Sequence, residues 1–180
     1  MELKRLDDSD AFLVNSFMAR DERGKFIKIF REKIFLDLEI SWKESYYSTS
    51  KQNVFRGMHL QVNEGSHSKL VSCLKGSIID FIVDLRLDKG TFGKTYSTTI
   101  DDKNCKSIYI PPGYGHGFYN ANVEDALVLY FTSTEYDPQN DTGVNWSSIR
   151  CNWPFENPIL SERDLNLQSL NEFKKNEYNY

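Results

Sequence analysis

An all-β domain is the fold class this sequence predicts, and three observations predict it. Apolar residues recur with period two through most of the chain. Turn residues interrupt that pattern about every eight to twelve positions. Aromatic residues make up 14% of the composition, with 12 Phe, 10 Tyr and 3 Trp. Short alternating strands with frequent turns belong to sandwiches and barrels. So many aromatic side chains suit sheets and sugar or base sites better than helical bundles. A length of 180 residues suits a single domain over 1–180, with no internal repeat and no linker long enough to divide it.

The elements follow in order. Asp10 to Arg20 is read as a helical turn or two. Ile34, Leu36, Leu38, Ile40 and Trp42 alternate with Phe35, Asp37, Glu39 and Ser41, which predicts a strand with one buried face. Val54 to Val62 alternates less cleanly around Gly57, and Lys69 to Leu74 ends at the Lys75-Gly76 turn. Ser77 to Leu87 is apolar on both phases, as in a strand held between two layers. Lys94 to Ile100 closes in the turn Asp101 to Asn104; Ser107 to Ile110 runs into Pro111-Pro112-Gly113; Ala126 to Thr132 is a further strand. Ser161-Glu-Arg-Asp164, followed by Leu165 and Leu167, predicts a capped helix start. Lys174 to Tyr180 is polar and is expected to fray.

Composition excludes several functions. Lys plus Arg number 22 against 26 Asp plus Glu, a formal charge of −4, which argues against non-specific nucleic-acid binding but permits a local basic pocket. Cys73, Cys105 and Cys151 lie far apart with no CxxC, so free thiols in a reducing cytoplasm are expected. The N-terminus has no apolar stretch of signal-peptide length, and Asp80, Asp84 and Arg86 break the densest apolar segment, so no membrane partner is expected.

The most informative motif is Pro111-Pro-Gly-Tyr-Gly-His116-Gly-Phe-Tyr-Asn120. Its form P-x-G-x-x-H-x-x-x-N resembles the second motif of the cupin superfamily, which implies a jelly-roll barrel with His116 pointing inward. A generic turn carrying a core histidine is the alternative. Metal-binding cupins carry H-x-H in their first motif. Here His59 is followed only by His67, in a polar loop, so His59, His67 and His116 offer too few ligands at fixed spacing and a metal-free site is favoured.

Val54-Phe-Arg-Gly-Met-His59-Leu-Gln61, Lys69-Leu-Val71, Val83-Asp-Leu-Arg86, Thr91-Phe-Gly93, Ile110 to Phe118, Tyr130, Tyr136 and Leu160-Ser-Glu-Arg-Asp164 occur in this order, after Asp21-Glu-Arg-Gly-Lys-Phe26. Together they resemble the dTDP-4-dehydrorhamnose 3,5-epimerase family over roughly residues 15 to 165. The resemblance implies epimerisation beside the C4 ketone of a nucleotide-linked 4-keto-6-deoxy sugar, with no cofactor, in a homodimer that exchanges N-terminal strands.

It also implies roles. His59 resembles the base, a group that titrates near neutrality, and Asp164 its carboxylate partner. Tyr130 resembles the proton donor and Lys69 the cation at the enolate oxygen. Arg23 and Arg56 resemble diphosphate ligands, Phe26 and Tyr136 aromatic groups around the base, and His116 a substrate ligand; Gln61 lies in the same binding motif. Without the resemblance, Asp164 would read as a helix cap, Tyr130 as a core tyrosine and Lys69 as an exposed strand lysine. Strict alternation separates Arg56 from His59, so Gly57 is expected to mark a bulge.

The family's usual Glu, Gln-Asp-Asn and Gly are replaced by Lys28, Glu44-Ser45-Tyr46 and Asn53 at positions that contact thymidine in relatives. A different nucleotide or sugar on the same chemistry is the expectation, with GDP-linked 4-keto sugars, including the 6-deoxy-heptoses of bacterial capsules, as candidates. The rival readings are a C3-only epimerase, a 3,4-ketoisomerase, a metal-dependent cupin and a non-catalytic sugar-nucleotide binder.

Overall fold

A computed structural model of the chain describes residues 1–38 and 40–180. The strands are β1 (Glu2–Arg5), β2 (Phe12–Asn15), β3 (Phe17–Asp21), β4 (Gly24–Lys28), β5 (Glu44–Ser50), β6 (Phe55–Gln61), β7 (Lys69–Lys75), β8 (Ser77–Asp84), β9 (Thr95–Asp101), β10 (Lys106–Ile110), β11 (Tyr114–Tyr119), β12 (Ala126–Thr132) and β13 (Asp141–Gly143). Two short helices follow, α1 (Glu162–Leu165) and α2 (Leu170–Phe173). The all-β expectation holds; of the short helices expected at both ends, those near the C-terminus form, and the N-terminal segment is strand.

Two sheets face each other. The first runs β1-β2-β10-β7-β12-β5 and the second β13-β6-β11-β8-β9; β3 and β4 form a separate hairpin. Alternation along the strands divides the core. Val71, Ile108, Val128 and Tyr130 of the first sheet pack with Ile78, Ile82, Tyr96 and Ile100 of the second. The residues of opposite phase, Leu70 and Tyr109, join Val14 and Phe35 on the far side of the first sheet. Phe55, Phe81 and Val83 lie on the far side of the second, under Trp153, Phe155 and Phe173. Fully burying one such aromatic or aliphatic side chain contributes roughly 1.5–3 kcal/mol. Ser77 to Asp84 behaves as expected of a strand between layers, since both its phases are covered.

Three sequence expectations are corrected. Residues 34–42 are not a strand: Glu32–Ile34 and Leu36–Leu38 are 3₁₀ turns, and Glu39 lies outside the described residues. The reason is the phase of burial. Phe35, on the supposed outer phase, is 1% exposed while Leu36 is 59% exposed. Phe35 sits among Phe30, Trp42 and Tyr109, with ring centroids 5.7, 5.9 and 6.0 Å away. Its packing outweighs the local alternation.

The Asp10 to Arg20 segment forms β2 and β3 rather than helix. Val14 lies in β2, which inserts between β1 and β10 and buries it, while Ala11, just before the strand, is buried in the core between the sheets. The C-terminal tail does not fray. The Asn63 backbone N–H donates to Asn179 O at 2.8 Å, and the Tyr180 hydroxyl donates to Leu85 O at 2.9 Å. Tyr178 packs on Phe173 with centroids 4.8 Å apart.

Candidate active site

A cavity of about 410 Å³ opens between the two sheets, within the usual range of roughly 300–1,000 Å³ for small-molecule sites. The second sheet contributes Arg56 and His59 from β6 and His116 from β11; the first contributes Tyr46 from β5, Lys69 from β7 and Tyr130 from β12. Residues far apart in sequence therefore converge from opposite walls.

Gly57 brings Arg56 and His59 onto one wall. The β6–β11 register pairs His116 with His59 but Phe118 with Arg56, which leaves one extra residue in β6. Gly57 has φ +147, and a Cβ there would lie 2.5 Å from the Gly117 Cα, so only glycine fits this close approach. The bulge expected from the Arg56/His59 spacing is therefore present.

His59 bonds through Nε2 to the Asp164 carboxylate. An ionised carboxylate only accepts, so Nε2 carries the proton and Nδ1 keeps the lone pair. Burial holds the His59 pKa below the ordinary 6.5 against the opposing pull of Asp164, which keeps the ring neutral and basic near neutrality. Burial, the largest single influence, would raise Asp164, but the bond and charge of His59 together with the Ser161 hydroxyl and the Arg163 charge outweigh it, and its carboxyl lies below the usual value. Asp164 is not the helix cap. Ser161 is the cap, and its hydroxyl accepts from the Asp164 backbone N–H at 3.1 Å. The first turn of α1 thereby aims the carboxylate back at β6.

Lys69 is a buried lysine, 8% exposed, whose ammonium donates to His59 O at 3.1 Å across the gap between the sheets. Burial brings its pKa down to about 8. Tyr130, 7% exposed, stacks on Tyr46 at 4.8 Å and meets the edge of His116 at 6.2 Å. Burial raises the Tyr130 pKa, so the phenol stays protonated and able to donate.

His116 bonds to Asp80 at 2.8 Å, and both are buried. Burial raises the Asp80 pKa, and its other carboxylate oxygen has no partner among the described residues. Sequence reading singled out His116 but not Asp80. The available signal was a charged residue inside the most apolar strand. Arg163 was also missed. It lines the cavity and pairs with Asp141 at 2.7 Å.

The remaining expected residues divide. Arg56 lines the cavity and is braced by Ser50 Oγ at 2.9 Å and Thr49 O at 3.0 Å. Tyr136 is on the rim, its backbone N–H donating to Glu44 Oε2 at 2.8 Å. Gln61 lines the wall, but its amide is engaged by protein: Nε2 donates to Gly65 O at 3.1 Å and Oε1 accepts from the Asp137 N–H at 2.6 Å. Arg23 and Phe26 are not brought to this cavity by their own chain. Both lie on the β3–β4 hairpin, where Phe26 is 60% exposed and Arg23 pairs with Asp21 at 2.6 Å. Lys28 ends the same hairpin. Among the described residues no three His, Cys, Asp or Glu side chains gather as a metal site, and no helix is long and apolar enough to cross a membrane.

A base and a weak acid on facing walls, with a buried cation between, can exchange protons beside a carbonyl. Known proteins with the same architecture are named as epimerases of 6-deoxy sugars. The model of the dTDP-4-dehydrorhamnose 3,5-epimerase family matches residues 6–172. The dTDP-4-dehydrorhamnose 3,5-epimerase of Shigella flexneri is 32% identical over 175 residues, covering 94% of this chain and 96% of its own. NovW, a 4-keto-6-deoxy sugar epimerase from the novobiocin biosynthetic gene cluster of Streptomyces spheroides, has a TM-score of 0.91 at 28% identity, covering 97% of this chain and 90% of its own. RmlC of Legionella pneumophila, a dTDP-6-deoxy-D-glucose-3,5-epimerase in complex with dTDP-4-keto-L-rhamnose, has a TM-score of 0.88 at 28% identity, covering 94% and 93%. With a match that spans nearly the whole sequence and both sheets, this chain belongs to the dTDP-4-dehydrorhamnose 3,5-epimerase family and is an isomerase-class epimerase on a cupin-type β fold.

Proposed function

We propose that the cavity inverts C3 and C5 of a nucleotide-linked 4-keto-6-deoxy sugar. The observation that carries this reading is the placement of the His59–Asp164 pair and Tyr130 on opposite walls of one cavity. The C4 ketone acidifies the C–H bonds on either side of it. His59 takes a proton from one face, the C–H electron pair moves to the carbonyl oxygen, and the Lys69 ammonium stabilises the resulting enolate. Tyr130 then delivers its proton to the other face. The C–H bond re-forms with inverted configuration, and phenolate and imidazolium reset through solvent. No electrons leave the substrate, so the balance needs no redox partner. Arg56 and His116 bind the diphosphate and the sugar.

The two titrations predict the pH profile. kcat/KM should fall in acid as His59 takes a proton, with the limb below 6.5 because burial lowers its pKa. It should fall again as pH rises through about 8, where Lys69 loses its charge. Lys69→Arg, which stays charged, should move the alkaline limb upward. An unchanged alkaline limb in that variant would separate it from Lys69.

GDP is the nucleotide we assign, in contrast to the dTDP in the relatives' names. The support is Glu44 on the cavity wall. Its Oε2 accepts from the Tyr136 N–H, and its other oxygen can accept from guanine N1–H or N2. Calorimetry should give tighter binding for GDP than for dTDP, with the preference reduced in Glu44→Gln. Equal or tighter dTDP binding contradicts the assignment.

The protein also acts, in this reading, as a homodimer. Among the described residues the β3–β4 hairpin pairs with no other strand, and it leaves Phe17 and Phe26 exposed, so Arg23 and Phe26 would complete the partner's cavity. Light scattering should return the mass of two chains, and a monomer would contradict this.

A further inference from the structure

Tyr46 is packed against the proposed acid. It lies on β5, the last strand of the first sheet, directly opposite Tyr130 in the β5–β12 ladder. The two rings are 4.8 Å apart and 17° from parallel. Tyr130 is 7% exposed and Tyr46 43%, so Tyr46 is the layer between Tyr130 and solvent at this sheet edge. On another side Tyr130 meets the edge of the His116 ring, inclined at 72°, and the rest of the residue joins the core between the sheets.

A strand ladder fixes a backbone, but the swing of a tyrosine ring about its two side-chain torsions is fixed by packing. Inversion makes a geometric demand that exchange does not. The Tyr130 proton must arrive on the carbon face away from His59 before His59 returns its own. A misplacement of about 1 Å at such a step can cost about 10²-fold.

We propose that Tyr46 is a positioning residue for inversion: its stack holds the Tyr130 ring plane and keeps water off that ring, setting the fraction of enolate protonated with inversion. The proposal rests on the epimerase reading. The step is simple in balance: the Tyr130 O–H breaks, the enolate electron pair forms the new C–H bond, and the phenolate regains a proton from solvent. Tyr46, read from the sequence as part of nucleotide recognition, thereby acts at the sugar end. The contribution comes from its ring and not from its hydroxyl, so phenylalanine should replace it.

The test uses full-length Tyr46→Ala and Tyr46→Phe in D2O with dTDP-4-keto-6-deoxy-D-glucose and its GDP-linked counterpart, reading exchange and inversion together by NMR. Tyr46→Ala should lower inversion about 10-fold more than exchange, while Tyr46→Phe keeps the inversion-to-exchange ratio within about twofold of wild type. Parallel loss in Tyr46→Ala, an unchanged ratio, or a Phe variant that behaves like Ala would overturn the proposal. Tyr46→Leu replaces the Ala variant if that protein melts early. NMR of ring-¹³C-labelled tyrosine supplies a readout that needs no substrate. The Tyr130 signal, identified by its loss in Tyr130→Phe, should move in Tyr46→Ala and stay in Tyr46→Phe, and an unmoved signal in the Ala variant sinks the stack. A wild type that exchanges neither sugar would count against the epimerase reading, and the ring signal would still decide the stack.

Discussion

Replacing His59 by Asn should abolish deuterium exchange at both C3 and C5 while leaving the fold intact. His59 supplies the basic lone pair of the pair it forms with Asp164. Loss of a general base should lower the rate at least about 10²–10⁴-fold. Asn is the informative replacement because its amide can still donate to Asp164. Asp164 is 2% exposed, and leaving a buried carboxylate unpaired would cost stability for reasons unrelated to catalysis. Exchange measured by NMR, beside a melting curve, separates the two effects. Wild-type exchange in the Asn variant would remove His59 from the role of base.

Tyr130→Phe should have a different signature. The variant keeps His59, Lys69 and Arg56, so the enolate still forms and deuterium still enters by return through His59. Inversion should fall on the order of 10²-fold or more beyond any loss of exchange, because one face has lost its donor. If Tyr130 were only a core tyrosine, the change would remove one hydroxyl at a stability cost of about 1 kcal/mol, and exchange and inversion would fall together or not at all. The same two rates measured on one protein decide between these outcomes.

The site was more legible in the sequence than its surroundings. Tyr130 lies on a strand that alternates cleanly, but the strands of His59, Lys69 and His116 are covered on both faces, so it was the ordered motifs of the family resemblance, and not periodicity, that pointed to these residues as one site. Gly57 signalled its bulge because Arg56 and His59 have the wrong spacing for one face of a regular strand. Asp164 was ambiguous because the residue that caps a helix and the residue that the capped turn aims elsewhere share one short motif.

What the sequence obscured was decided by packing at long range. Residues 34–42 alternate like a strand, yet Phe35 turns into an aromatic cluster that only the folded first sheet supplies. Phe12 to Asn15 fall in a segment read as a helical turn, and it is β10, more than 90 residues later in the chain, that pairs with them as a strand. Asp80 was read as an interruption of an apolar run, because its partner His116 lies 36 residues away. Arg23 and Phe26 sit on a hairpin that pairs with no other strand among the described residues, so the packing of the chain's own sheets does not carry them to the cavity.

The central claim is that base and acid work from opposite walls beside a C4 ketone. The most direct test is wild-type protein in D2O with dTDP- and GDP-4-keto-6-deoxy sugars, followed by position-resolved NMR. The account predicts solvent deuterium at C3 and C5 together with inverted configuration at those carbons. Turnover with no deuterium at either position, or deuterium incorporated with configuration fully retained at both, would contradict it.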